Sequence, residues 1–148
     1  WFDSKFLFKM MRLSISIISV AILFNLSSCK EDADMPLTSE FTLHVSNQSF
    51  NIDPVDIKIS IDGEVCVDED FFVENQHNWK MFKINLELGT HTLLAETVAG
   101  DTTLQTEFEL TLDQHYGVVD FWYYPNGSID PTPPQFSFHF SDDPFMFD

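Results

Sequence analysis

Basic residues are scarce in this chain: 7 lysines and arginines stand against 24 aspartates and glutamates, a formal net charge of −17 over 148 residues. A field of that sign repels phosphate backbones and anionic headgroups, so nucleic acid and anionic lipid surfaces are excluded as direct partners. Cysteine is nearly absent, with only Cys29 and Cys66, too few for a disulfide framework once Cys29 is otherwise employed. No histidine or cysteine stands close enough to another to suggest a zinc cluster. The catalytic signatures G-x-S-x-G and H-E-x-x-H are missing, as is a Gly-rich phosphate loop. Carboxylate pairs in so acidic a chain do not identify a glycosidase, so no enzymatic activity and no cofactor are expected. No D-x-D-x-D-G run is present, and Asp68-Glu69-Asp70 and Asp142-Asp143 read as solvated acidic segments rather than calcium ligands.

What is abundant is apolar and aromatic: 44% hydrophobic residues and 16 phenylalanines, enough for one well-filled core. The first strongly apolar stretch runs from Leu13 to Leu26, behind Lys9 and Arg12. At about 14 residues it is short for a membrane span, which needs about 20, and right for the apolar region of a signal helix. Residues 1–28 are therefore expected to be a signal peptide, its true start at Met10 or Met11. No transmembrane span is expected in what remains.

Leu26-Ser27-Ser28-Cys29 resembles the lipobox of bacterial lipoproteins, where small residues admit the peptidase to the bond before a lipidated cysteine. The resemblance implies cleavage before Cys29, a covalent diacylglycerol on its sulfur and an N-acyl chain, palmitate for instance, on the new amino terminus. Two or more chains anchor a protein firmly, at roughly 0.8 kcal/mol per buried CH₂. Lys30-Glu31-Asp32-Ala33-Asp34 is similar to the acidic export signal of Bacteroidota lipoproteins, with Lys30, Glu31, Asp32 and Asp34 as its charged members. It implies an outer-membrane address facing the cell exterior, with a periplasmic face as the alternative. Residues 29–40 are read as a lipidated acidic tether. Without the leader, which takes with it Lys5, Lys9, Arg12 and Asp3, 4 basic residues face 23 acidic ones.

Residues 41–148 read as an all-β domain. Apolar and polar residues alternate at Phe41–Val45, Ile57–Ile61, Phe82–Leu88, Leu104–Leu110 and Phe136–Phe140, with a denser strand at Val118–Tyr124. About seven strands joined by hairpins predict an antiparallel two-sheet sandwich. A two-residue turn at Gly89-Thr90 would set Leu86 against Leu93 and Ile84 against Ala95. A similar turn at Gly100-Asp101 would set Leu93 against Phe108 and Ala95 against Thr106. At Asp62-Gly63 two registers remain open: Ile61 opposite Glu64 with Ile59 opposite Cys66, or Ile61 opposite Val65 with Ile59 opposite Val67. Asp68 to Asn78 reads as an acidic loop that pins Phe71 and Phe72 inward. Leu86-Glu-Leu-Gly-Thr-His-Thr-Leu93 resembles a turn of PEGA-like and related immunoglobulin-like or prealbumin-like modules, which implies a binding or spacer role.

On Phe121-Trp122-Tyr123-Tyr124 one face must enter the core, leaving Trp122 and Tyr124 on the other as a flat platform for sugar rings, aided by Trp79. The competing account has these rings covering neighbouring structure. His91 is expected to be a hydrogen-bonded histidine at the core rim, and Cys66 a small structural residue. The sequence thus points to a noncatalytic binding or accessory module, for glycans on this reading. The alternative is an assembly subunit of a surface complex, using Phe136, Phe138, Phe140 and the tail Pro144–Phe147 to complete a neighbouring sheet.

Overall fold

Period-2 alternation along most of the domain makes strands that bury one side each, and two such sheets face to face satisfy them all. The structure, a computed structural model, describes residues 36–73 and 78–145. The readings at Leu26, Ser27, Ser28, Cys29, Lys30, Glu31, Asp32 and Asp34 fall outside these residues. Among the described residues, no helix is long and apolar enough to cross a membrane.

Eight strands follow in order: β1 (Thr38–Asn47), β2 (Val55–Ile61), β3 (Glu64–Phe71), β4 (Lys80–Glu87), β5 (Gly89–Thr97), β6 (Thr102–Leu110), β7 (His115–Tyr124) and β8 (Thr132–Ser141). One sheet has the order β4-β1-β7-β8 and the other β3-β2-β5-β6. All pairings are antiparallel except β1 with β7, which run parallel from Phe41 opposite His115 to Asn47 opposite Phe121. The expected sandwich is thus present. Its first two strands lie in different sheets, unlike the immunoglobulin order in which they are neighbours.

The inner faces supply the core. Phe41, Leu43, Val45, Val119 and Phe121 come from the first sheet, and Val55, Ile57, Ile59, Leu93 and Ala95 from the second, each at most 1% exposed. Burying one such large side chain contributes about 1.5–3 kcal/mol. One open side is closed by Phe108 against Phe138 and Phe140. The other is closed by Phe71 beside Phe82 and by the Lys80–Glu69 ion pair, which spans from β4 to β3. Glu69 lies opposite Ile57, so an edge strand carries a charge on its inward side, a feature that discourages pairing with another chain.

Several local expectations change. β4 and β5 do not form a hairpin: β4 pairs with β1, and β5 pairs with β2 and β6. The chain crosses between sheets at Leu88 and Gly89, where Gly89 takes φ 129°, a value that L side chains rarely adopt. Leu86 and Leu93 both face the interior, but from opposite sheets. The β5–β6 register is displaced by two residues, with Leu93 opposite Thr106 and Ala95 opposite Leu104. Both faces survive the displacement because the side-chain period is two. The cause is the Asp56 carboxylate, which accepts hydrogen bonds from Val98 N (2.9 Å), Ala99 N (2.8 Å) and Thr97 Oγ1 (2.9 Å) and so fixes a loop of Val98–Asp101.

Both registers weighed at Asp62-Gly63 occur in part. The turn has two residues, both with positive φ, placing Ile61 opposite Glu64. A bulge between Ile59 and Ser60 then puts Ile59 opposite Val67. Cys66 is the extra residue, half-buried with its Sγ 3.4 Å from the Ile59 carbonyl. Burial pushes its thiol up to about 11, the inert character expected of a structural cysteine. Asp68 to Phe71 is strand rather than loop, and Phe72 is 58% exposed while Phe71 is buried. Alternation sends neighbouring side chains to opposite faces, so only one of the pair enters the core. β1 also begins before Phe41: Thr38 and Glu40, read as tether, pair with Glu87 and Asn85, and Glu40 holds Lys83 at 2.8 Å.

Candidate functional site

The outer face of the β4-β1-β7-β8 sheet carries the polar and aromatic side chains that alternation directs away from the core. From β1 these are Thr42, His44 and Ser46; from β7, Val118, Asp120, Trp122 and Tyr124; from β8, Gln135, Ser137 and His139. Ser46, Asp120 and Ser137 lie in one cross-strand row. Ser46 Oγ donates to Asp120 Oδ1 at 2.6 Å, and Trp79 Nε1 donates to the same oxygen at 3.0 Å. Gln48 Nε2 donates to Ser46 Oγ at 2.7 Å. On the far side of the row, Trp122 Nε1 donates to Ser137 Oγ at 3.0 Å. The buried carboxylate of Asp120 is thereby hydrogen-bonded, as burial of a charge requires, and both indoles are oriented by the row.

Tyr124 donates its hydroxyl to the Gln48 carbonyl at 3.3 Å. Its ring centre lies 6.4 Å from that of Trp122, with the planes at 48°. Both rings are half-buried. They line a groove of about 330 Å³ together with Asp130, Thr132, Gln135, Phe136 and Ser137. A second groove of about 300 Å³ continues past Tyr124 along Pro131–Pro134. Trp122 is opposite Gln135 and Tyr124 opposite Thr132, so β8 carries an extra residue at Pro133-Pro134. Proline cannot donate to the ladder, which is why the irregularity falls here, on an edge strand.

This arrangement revises the expected platform. Trp122 and Tyr124 do come together, but as tilted walls of a groove instead of a flat surface. Trp79 belongs elsewhere: it lines a separate groove of about 400 Å³ with Asn47, Asp70, Phe71, Phe72, Asn78 and Lys80. There it packs edge-on against His44 and Phe145, at ring distances of 5.6 and 6.2 Å. Asp130 and Gln135 were not legible as site residues. The Pro133-Pro134 pair inside an otherwise regular strand pattern was the available signal.

Two histidines hold positions of chemical interest. His91 is buried at the rim as expected, its Nδ1 2.6 Å from Asp62 Oδ2 and its Nε2 2.7 Å from the Glu87 carbonyl. His115 lies between Thr111 and Asp142, with Oγ1 of Thr111 2.8 Å from Nε2 and Oδ1 of Asp142 2.8 Å from Nδ1. That order of hydroxyl, imidazole and carboxylate invites comparison with a nucleophile, base and orienting acid. The lone pair of Nε2, however, already accepts the Thr111 backbone N–H at 3.0 Å. A base so occupied is a turn fastener between β6 and β7. Among the described residues, no group of three or more His, Cys, Asp or Glu is placed to hold a metal.

No family model, curated protein or solved structure matches the chain.

Proposed function

We propose that this protein is a lipoprotein anchored to the outer membrane through Cys29, and that its β-sandwich is a noncatalytic module that binds glycans in the Trp122–Tyr124 groove. The observation that carries the reading is the groove itself. Two amphipathic rings line it together with the hydroxyl- and amide-bearing residues Ser137, Thr132 and Gln135, the combination that pairs apolar sugar faces and hydroxyls with one surface. The anchoring part rests on Leu26-Ser27-Ser28-Cys29 and the apolar stretch before it. The rival assembly reading rests on β8, an edge strand open to main-chain pairing; its Phe136, Phe138 and Phe140 side chains face the interior, and Phe145 packs on His44 and Trp79.

Affinity electrophoresis through gels containing soluble polysaccharides tests the binding. At least one glycan is expected to retard the wild-type domain, and Trp122→Ala and Tyr124→Ala are each expected to weaken retardation by tenfold or more, about 1.4 kcal/mol. A domain that no glycan retards removes the reading. Anchoring is tested by mass spectrometry of the membrane-associated product, where the N-terminal peptide is expected to begin at Cys29 and carry acyl chains. An unmodified Cys29 with residues 1–28 still attached defeats it.

A further inference from the structure

We infer that the Trp122–Tyr124 groove prefers sugars bearing a free, protonated amine, a selectivity that rests on its reading as a glycan site. The described basic side chains are Lys58, Lys80 and Lys83, and each faces a carboxylate: Glu96, Glu69 and Glu40 in turn. The groove contains no basic residue, so nothing in it balances a uronate or a sulfate. Its one charged member is Asp130, an exposed carboxylate on the segment between β7 and β8.

The rings work in the same direction. The faces of Trp and Tyr carry negative electrostatic potential and attract cations, most strongly over Trp. Trp122 and Tyr124 tilt at 48° beside each other, so an ammonium group seated in the groove meets aromatic surface and has Asp130 among the residues that line its site. The remaining contacts, Gln135, Thr132 and Ser137, are uncharged and suit the hydroxyls of the same sugar. Around the site, the excess of 23 acidic over 4 basic residues that remains without the leader draws cationic ligands toward the protein and drives anionic ones off.

A diffuse acidic field attracts any polycation, so the test must separate field from site. The probes are short oligomers of glucosamine, of N-acetylglucosamine and of galacturonic acid, of equal length, titrated calorimetrically at pH 5.5 in low and in physiological salt. The variants are Asp130→Asn in the groove and Glu107→Gln, an exposed position on β6 of the other sheet. Glucosamine oligomers are expected to bind about tenfold more tightly than the acetylated ones. Asp130→Asn is expected to bring the two within about twofold, and Glu107→Gln to leave the ratio unchanged. Equal affinity for acetylated and free-amine oligomers overturns the inference but leaves the glycan reading standing. So does binding of the uronate, or a loss in Glu107→Gln as large as in Asp130→Asn. If none of the three probes binds, the amine preference falls, and the gel panel decides the wider reading separately.

Discussion

Replacing Phe41 with alanine is expected to lower the unfolding free energy by about 3–5 kcal/mol, read as a reduced midpoint in urea with an unchanged slope. Phe41 has no exposed surface, stacks on Phe108 at 4.8 Å and approaches Phe140 at 6.2 Å. It also fills the space that a side chain at position 117 would need. A Cβ on Gly117 would stand 2.6 Å from Phe41 Cζ, inside van der Waals contact. Gly117→Ala alone is therefore expected to cost about 1–3 kcal/mol through overpacking. In a Phe41→Leu background the ring tip is gone, and adding Gly117→Ala should cost markedly less. Such coupling is expected only of residues in contact. Strictly additive losses would show that the glycine is there for another reason.

The second large effect concerns pH. A carbonyl and a carboxylate can only accept hydrogen bonds, so the contacts of His91 with Glu87 O and Asp62 require both ring nitrogens to donate. With Asp62 ionised, the ring that makes both contacts is the imidazolium. Burial alone would lower its pKa, but the hydrogen bonds to Asp62 and to the Glu87 carbonyl outweigh burial and hold it above the usual histidine value. For Asp62, desolvation acts upward and is outweighed by the bonds from His91 and Thr92 N, which leave the carboxyl below its usual value. The His91 contribution is thus complete below about pH 6.5 and is lost as pH rises through the raised folded value. The Asp62 contribution is complete above about pH 4 and is lost as pH falls through the depressed one. At pH 5.5 both are present, and His91→Gln is expected to cost about 1–3 kcal/mol there. Between pH 6.5 and 8.5 the wild type is expected to lose stability faster than the Gln variant. The other four histidines remain in both proteins, so identical pH slopes would refute the assignment.

How far the sequence could be read follows from what alternation encodes. It encodes faces, so the inward positions at Phe41–Val45, Ile57–Ile61 and Val119–Phe121 were legible, as was the side of β7 on which Trp122 and Tyr124 stand. It does not encode which apolar face lies beside another and which lies across from it. Leu86 and Leu93 satisfy a hairpin and a sandwich equally well, and only the position of β1 between β4 and β7 decides the matter. The two-residue displacement at Val98–Asp101 was hidden for a related reason: its cause, Asp56, is more than 40 residues upstream. Ser46 and Asp120, the pair that receives the Trp79 indole, are 74 residues apart and belong to strands that run parallel. No local pattern announces such a pair. Chemistry confined to one segment was the readable part, and chemistry assembled from distant strands was not.

The placement of β1 has a mechanical consequence. Because β1 is bracketed by β4 on one side and β7 on the other, a pull on the chain at Thr38 loads two ladders of backbone hydrogen bonds at once, along their length. Such bonds must give way together, whereas a strand at the border of a sheet can be peeled off one bond at a time. A force applied to the chain ahead of Thr38 would meet the more resistant of the two geometries.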